Sequence, residues 1–324
     1  MENLTKKIKA LILMLPAMLG LASRSAAEDK AHFCPDGTYK FAERDTCELF
    51  LDIYNPAETD MISDSGKEKP TIIFMFGGGF ISGERDTPYY QKWFEAMAKN
   101  GYRVVSIDYR LGLKGVDKVG IGQVNQLDKA IHMAVEDLFS ATAFLIDNAE
   151  SLGIDPDNIV ASGSSAGAIS VLQAEYELCN RTQYADVLPA GFRYKGIISF
   201  SGAILSRDGA LDFARKPAPM LLMHGTEDNL VVYKQIKFFK LGFFGSAKIA
   251  ERLAKYGYGY NILRFTGHGH EVAGSMYETL KYQLNFLEED VIGGKGRTVD
   301  AVIDDPAIPS GEGTSQSRKE MYGK

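Results

Sequence analysis

Unbroken apolar runs bounded by glycine alternate with stretches of helical periodicity along most of this chain. Strand-like runs cover residues 49–54, 71–76, 104–108, 159–162, 196–200, 220–224 and 260–265. Several lack any polar alternation, as strands buried on both faces of a parallel sheet do. Helical patterns lie between them at 89–100, 136–152, 168–178, 231–256 and 275–289, the fourth broken around Gly242 to Gly245. Strand-helix alternation over this length predicts an α/β fold: a doubly wound, mostly parallel sheet with helices on both faces.

The two ends depart from that pattern. Lys6, Lys7 and Lys9 precede an apolar run from Ala10 to Ala22, and small residues follow at Ser25-Ala26-Ala27. This reads as a secretory signal peptide over residues 1–27, and so as a secreted or periplasmic protein. The apolar run is short for a membrane span. Residues 290–324 are rich in Gly, Asp, Pro and Ser and read as a peripheral or partly disordered tail. The folded domain is therefore expected over 28–289. The glycine-rich stretch 112–125 reads as a mobile loop over a site.

Composition narrows the classes. The 324 residues are 45% hydrophobic, enough for a large core, and carry a formal net charge of -6. That balance gives no footing for nucleic acid or an anionic membrane surface. Of the three cysteines, Cys34 and Cys47 flank a turn signal, Pro35-Asp36-Gly37-Thr38, and in an exported protein are expected to form a local disulfide closing a hairpin. Cys179 is expected as a buried thiol.

Four motifs carry candidate chemistry, each after a strand-like run. Phe76-Gly77-Gly78-Gly79-Phe80 can turn backbone N–H groups into a cavity, as an oxyanion needs. Gly163-Ser164-Ser165-Ala166-Gly167 is a G-x-S-x-G pentapeptide between strand and helix, where a sharp turn exposes the serine Oγ. His224-Gly225-Thr226-Glu227-Asp228 offers two acids, Glu227 and Asp228, either of which could orient a histidine. Gly267-His268-Gly269-His270-Glu271 offers two histidines as general base. His32, His132 and His224 are less promisingly placed. No spacing of His, Cys, Asp or Glu makes a convincing metal site, and no cofactor is expected.

Taken together the chain resembles an α/β-hydrolase-fold serine esterase, similar to the secreted carboxylesterase and feruloyl-esterase-like branches related to hormone-sensitive-lipase-type enzymes. The resemblance covers roughly residues 47 to 288. It rests on the four motifs in the order Ser, Asp, His, together with Leu51-Asp52-Ile53-Tyr54-Asn55-Pro56 and Asp108-Tyr109-Arg110-Leu111. It implies Ser165 as nucleophile, Asp228 as acid, His270 as base with His268 as alternative, and the N–H groups of Gly78, Gly79 and Ala166 as oxyanion donors. Asp108 is usually structural in such proteins. Two departures stand out: Phe76 occupies the usual histidine position, and Ser164 stands where an acid is commoner. The implied substrate is a small-molecule or polysaccharide-linked carboxylic ester. Rival readings are a peptidase of the same fold and a non-catalytic binding protein that keeps the shell. Six aromatics, Phe80, Tyr109, Phe238, Phe239, Phe243 and Phe244, could line a pocket, but helical periodicity assigns most of them to the core.

Overall fold

The structure, a computed structural model, describes residues 33–115, 124–305 and Ile308. The expected signal segment, residues 116–123 of the glycine-rich loop and nearly all of the tail beyond 305 lie outside the described residues.

Nine described strands form one sheet in the order β1-β2-β4-β3-β5-β6-β8-β11-β12. These are β1 Gly37–Arg44, β2 Cys47–Tyr54, β3 Thr71–Met75, β4 Val104–Ile107, β5 Ile159–Ser164, β6 Gly196–Phe200, β8 Met220–Gly225, β11 Tyr260–Phe265 and β12 Thr298–Ile303. β1 and β2 run antiparallel at one edge, and every pairing from β4 to β12 is parallel. The apolar runs that predicted central strands, β3 to β6 and β8, are buried along their whole length. Burial on both faces requires helices on both faces. Helix α1, Pro88–Lys99, is tied by Trp93 Nε1 to Gln283 of α5, Leu280–Phe286, at 2.7 Å. Helix α2, Val124–Asp147, packs against α3, Ala166–Asn180. The doubly wound α/β reading therefore holds.

Three expectations need correction. Residues 231–256 do not form a broken helix. They form β9, Gln235–Phe238, and β10, Leu241–Gly245, which join β7, Ala203–Ser206, in a small antiparallel sheet, and only then α4, Ser246–Lys255. The boundary at 289 also falls short. A π-helical turn, Leu287–Ile292, continues α5, and β12 pairs with β11 as the edge strand of the main sheet.

The third correction concerns the cysteines, which the structure does not join. The β1–β2 hairpin turns at Asp45-Thr46, where Arg44 opposes Cys47. Cys34 precedes the other end of β1. Seven strand rises of about 3.4 Å separate those ends by ~24 Å, far beyond disulfide reach. Pro35-Asp36-Gly37-Thr38 leads into β1 and is not the hairpin turn. Cys179 is buried, as expected, and burial pushes its thiol pKa up.

Candidate active site

Every motif lies beyond the C-terminal end of a parallel strand, so all four gather at one edge of the sheet. The glycine turn follows β3, the serine β5, the acid β8 and the histidine β11.

Ser165 is the hinge between β5 and α3. Its φ of 52° and ψ of -112° are strained for a side-chain-bearing residue. Two backbone bonds pin it: Ser165 N–H donates to Phe200 O, and Ile169 N–H donates to Ser165 O, each at 2.9 Å. Close strand-helix contact explains the flanking small residues, since a Cβ on Gly167 would strike the Met75 carbonyl.

From this hinge a hydrogen-bonded line runs inward. Ser165 Oγ lies 2.8 Å from His270 Nε2, and His270 Nδ1 lies 2.8 Å from Asp228 Oδ2. The other oxygen of Asp228 accepts the N–H groups of Leu230 at 2.8 Å and Val231 at 2.9 Å. Burial alone would raise the Asp228 pKa. The His270 charge and hydrogen bonds from His224 and His270 outweigh burial and hold the carboxyl well below the usual carboxylate range. An ionised acid on Nδ1 fixes the imidazole tautomer, leaving Nε2 to accept the serine proton.

The glycine turn borders this line. β3 pairs with β5, with Met75 opposite Gly163. Gly78 has φ 128°, and a Cβ there would run into the Ser82 carbonyl. Neither the Gly78 nor the Gly79 N–H donates to a described backbone group, and the Ala166 N–H belongs to the unpaired first turn of α3. Phe76, in the usual histidine's place, stacks on Tyr109 with centroids 4.3 Å apart, and Tyr109 Oη donates to Phe76 O at 2.9 Å. An aromatic clamp thus holds the turn.

The rivals fall elsewhere. Glu227 is exposed. His268 is buried, with Nδ1 3.2 Å from Glu271 Oε1, and its carbonyl accepts the Glu227 N–H. Asp108 accepts from the Phe50 N–H and from Arg85, away from the serine line. Among the six aromatics, Phe80, Tyr109, Phe243 and Phe244 are core, whereas Phe239 is 83% exposed at the β9–β10 turn. Sequence reasoning passed over His224, whose Nε2 lies 3.2 Å from Asp228 Oδ2. Its place at the start of the acid motif was the available signal.

Among the described residues, no group of three or more His, Cys, Asp or Glu is arranged to hold a metal ion, and no helix is long and apolar enough to cross a membrane. The BD-FAE family model matches residues 51–203, which contain the glycine turn and the serine. In the solved structures, Thermogutta terrifontis esterase 2 phosphoramylated by tabun superposes with a TM-score of 0.58 at 25% identity, covering 78% of this chain and 94% of that one. The chain is similar to α/β-hydrolase-fold esterases in both sequence and fold. Curated relatives of this chain include fumonisin B1 esterase of Sphingopyxis macrogoltabida, 29% identical over 37% of this chain and 21% of the relative. Carboxylesterase 5A of Homo sapiens is 32% identical over 41% of this chain and 21% of the relative. Acetylcholinesterase of Gallus gallus is 35% identical over 32% and 13%. The chain thus spans about a fifth or less of the length of these curated relatives.

Proposed function

We propose that the hydrolase cleaves carboxylic esters through an acyl-enzyme. His270, oriented by Asp228, takes the proton of Ser165 as Oγ bonds to the carbonyl carbon. The carbonyl oxygen becomes an oxyanion facing the N–H groups of Gly78, Gly79 and Ala166. Collapse of that intermediate breaks the ester bond, and His270 returns the proton to the leaving alcohol. Water, deprotonated by the same imidazole, then attacks the acyl-enzyme, and His270 gives that proton to Ser165 Oγ as its bond to the acyl carbon breaks and the acid leaves. The observation that carries this reading is the continuous line from Ser165 Oγ through His270 to an ionised, buried Asp228.

The substrate follows by chemistry and likeness. Short acyl esters, including acyl groups on polysaccharides, fit an exported hydrolase. A Thermogutta terrifontis esterase 2 structure at 25% identity is propionate-bound, which supports a short acyl group. Export itself rests on the lysine-rich, apolar start of the sequence.

The test compares p-nitrophenyl acetate hydrolysis by the full chain and its Ser165→Ala variant. Loss of the nucleophile is expected to cost at least ~10⁴-fold in kcat. Equal rates would refute the assignment. A fluorophosphonate probe should label the native chain and spare Ser165→Ala. Failure to label the native chain would point to a binding protein in a hydrolase shell. Acetylated xylan, methyl ferulate and alkyl esters then rank the acyl groups.

A further inference from the structure

One buried polar group beside the site has no part in the mechanism above. His224, at the C-terminal end of β8, is wholly buried, yet both ring nitrogens have polar neighbours. Nε2 faces two acceptors, Asp228 Oδ2 at 3.2 Å and the Val231 carbonyl at 3.1 Å. Nδ1 lies 2.8 Å from Ser246 Oγ. Two acceptors at Nε2 require a proton there, because a lone pair would face carboxylate and carbonyl with no hydrogen between. Nδ1 then accepts the Ser246 hydroxyl proton. With a proton on Nε2, both ring nitrogens have a polar partner.

We propose that His224 is a positioning residue for the acid Asp228, holding its carboxylate in the plane that His270 needs; this rests on the proposed ester hydrolysis. Asp228 Oδ1 is fixed by two backbone N–H groups and Oδ2 by the His270 Nδ1–H, while the His224 Nε2–H, bonded to the Val231 carbonyl, lies 3.2 Å from Oδ2. Three donors and this shared fourth surround the carboxylate and oppose its rotation about χ2. Without His224, Oδ2 is held by His270 alone, the group it is meant to orient. Ser246 opens α4, directly after the β9–β10 hairpin, so the relay also ties that hairpin's base to the acid. Tyr233 packs edge-on against the ring, with centroids 5.5 Å apart.

The titratable groups facing His224 are Asp228 and Tyr233, with His270 reached through Asp228. Replacing His224 by Phe keeps a ring and removes the donor. The Asp228 charge is then less neutralised, and it stabilises the His270 imidazolium more strongly. The expected result on p-nitrophenyl acetate is a kcat loss of about ten- to hundredfold, as for a lost hydrogen bond to a charged group, with KM nearly unchanged. The acid limb of the kcat/KM profile should move to higher pH. His224→Gln, whose amide reaches the Nε2 position, should recover most of the loss. Ser246→Ala leaves the ring in place and removes only the tautomer anchor, so it should cost about two- to fivefold.

Thermal melts and fluorophosphonate labelling establish that each variant is folded. Should His224→Phe not fold, Ser246→Ala and His224→Gln decide the matter through the same kcat and pH readouts. Wild-type kcat and an unmoved acid limb in the folded variants overturn the positioning role. Equal loss in Phe and Gln variants with an unmoved acid limb overturns it too, in favour of packing. An inactive wild type refutes ester hydrolysis itself, a separate outcome.

Discussion

His270 and His132 both sit against carboxylates, but their second nitrogens face different groups. His270 has Asp228 on Nδ1 and the Ser165 hydroxyl on Nε2. His132, on α2, has Asp128 on Nδ1 and Glu177 on Nε2, at 3.3 and 3.2 Å, and its ring stacks on Tyr184. Burial would lower the His132 pKa, but the two carboxylates outweigh it and raise it to about 10. A ring between two anions stays charged and acts as a bolt between helices α2 and α3. A ring between an anion and a hydroxyl can take up a proton and give it back. The group opposite the carboxylate therefore separates a structural histidine from a chemical one. His268, with Glu271 on one side and Phe265 in edge contact, falls on the structural side.

The largest test of this contrast is Asp228→Asn. The amide can present its N–H to Nδ1 and stabilise the wrong tautomer, so kcat should fall by roughly 10⁴-fold. A fall of less than tenfold in steady-state kinetics would break the contrast, because the acid would then be no different from Asp128. Gly78→Ala comes next. Its positive φ and the Ser82 carbonyl force the turn to move, and displaced donors should cost about 10²–10³ in kcat. Unaltered turnover would remove the glycine turn from the site.

His132→Ala should do the reverse. Two partly buried carboxylates lose their shared cation, and urea unfolding should register a loss of about 3 kcal/mol. On the remaining folded protein kcat should stay within about twofold of wild type. A catalytic collapse would show that the two histidines do not divide as argued. The smallest effect is in pH. Folding raises the His132 pKa, so its contribution to stability is complete below the ordinary histidine value of about 6.5 and is lost as pH rises through about 10. The stability difference between wild type and His132→Ala should shrink over that window. A constant difference would mean that His132 acts by packing, not charge.

How much of this was legible depends on how local the signal was. β3, β5 and β8 each open on an apolar run and are buried from end to end, and the candidate chemistry follows each within a few residues, so the fold and the Ser165, Asp228 and His270 grouping could be read in order. The β9–β10 hairpin could not. Its residues, Gln235 to Gly245, mix lysines and aromatics at spacings that suit a helix face as well as a strand, and only pairing with β7 decides between them. β12 was hidden for a different reason. Its short alternation lies in a Gly-, Asp- and Pro-rich stretch, and the outward Asp300 is held by Arg264 of β11 through two nitrogens at 2.5 and 2.8 Å, a pairing the sequence does not show. The cysteine pairing failed because a local turn signal carried no information on which strand end it served. His224 was passed over because a histidine ending a strand looks the same whether its neighbour is a carbonyl or the acid.

The backbone at Ser165 has a consequence for how this chain can vary. A residue held at φ 52° and ψ -112° sits where glycine would be at ease, so the conformation that presents the proposed nucleophile also weakens the fold locally. Natural drift toward a more robust hinge would therefore delete the hydroxyl. A descendant that exchanged this serine for glycine would be harder to unfold than its ancestor and would lack the hydroxyl on which the proposed chemistry depends.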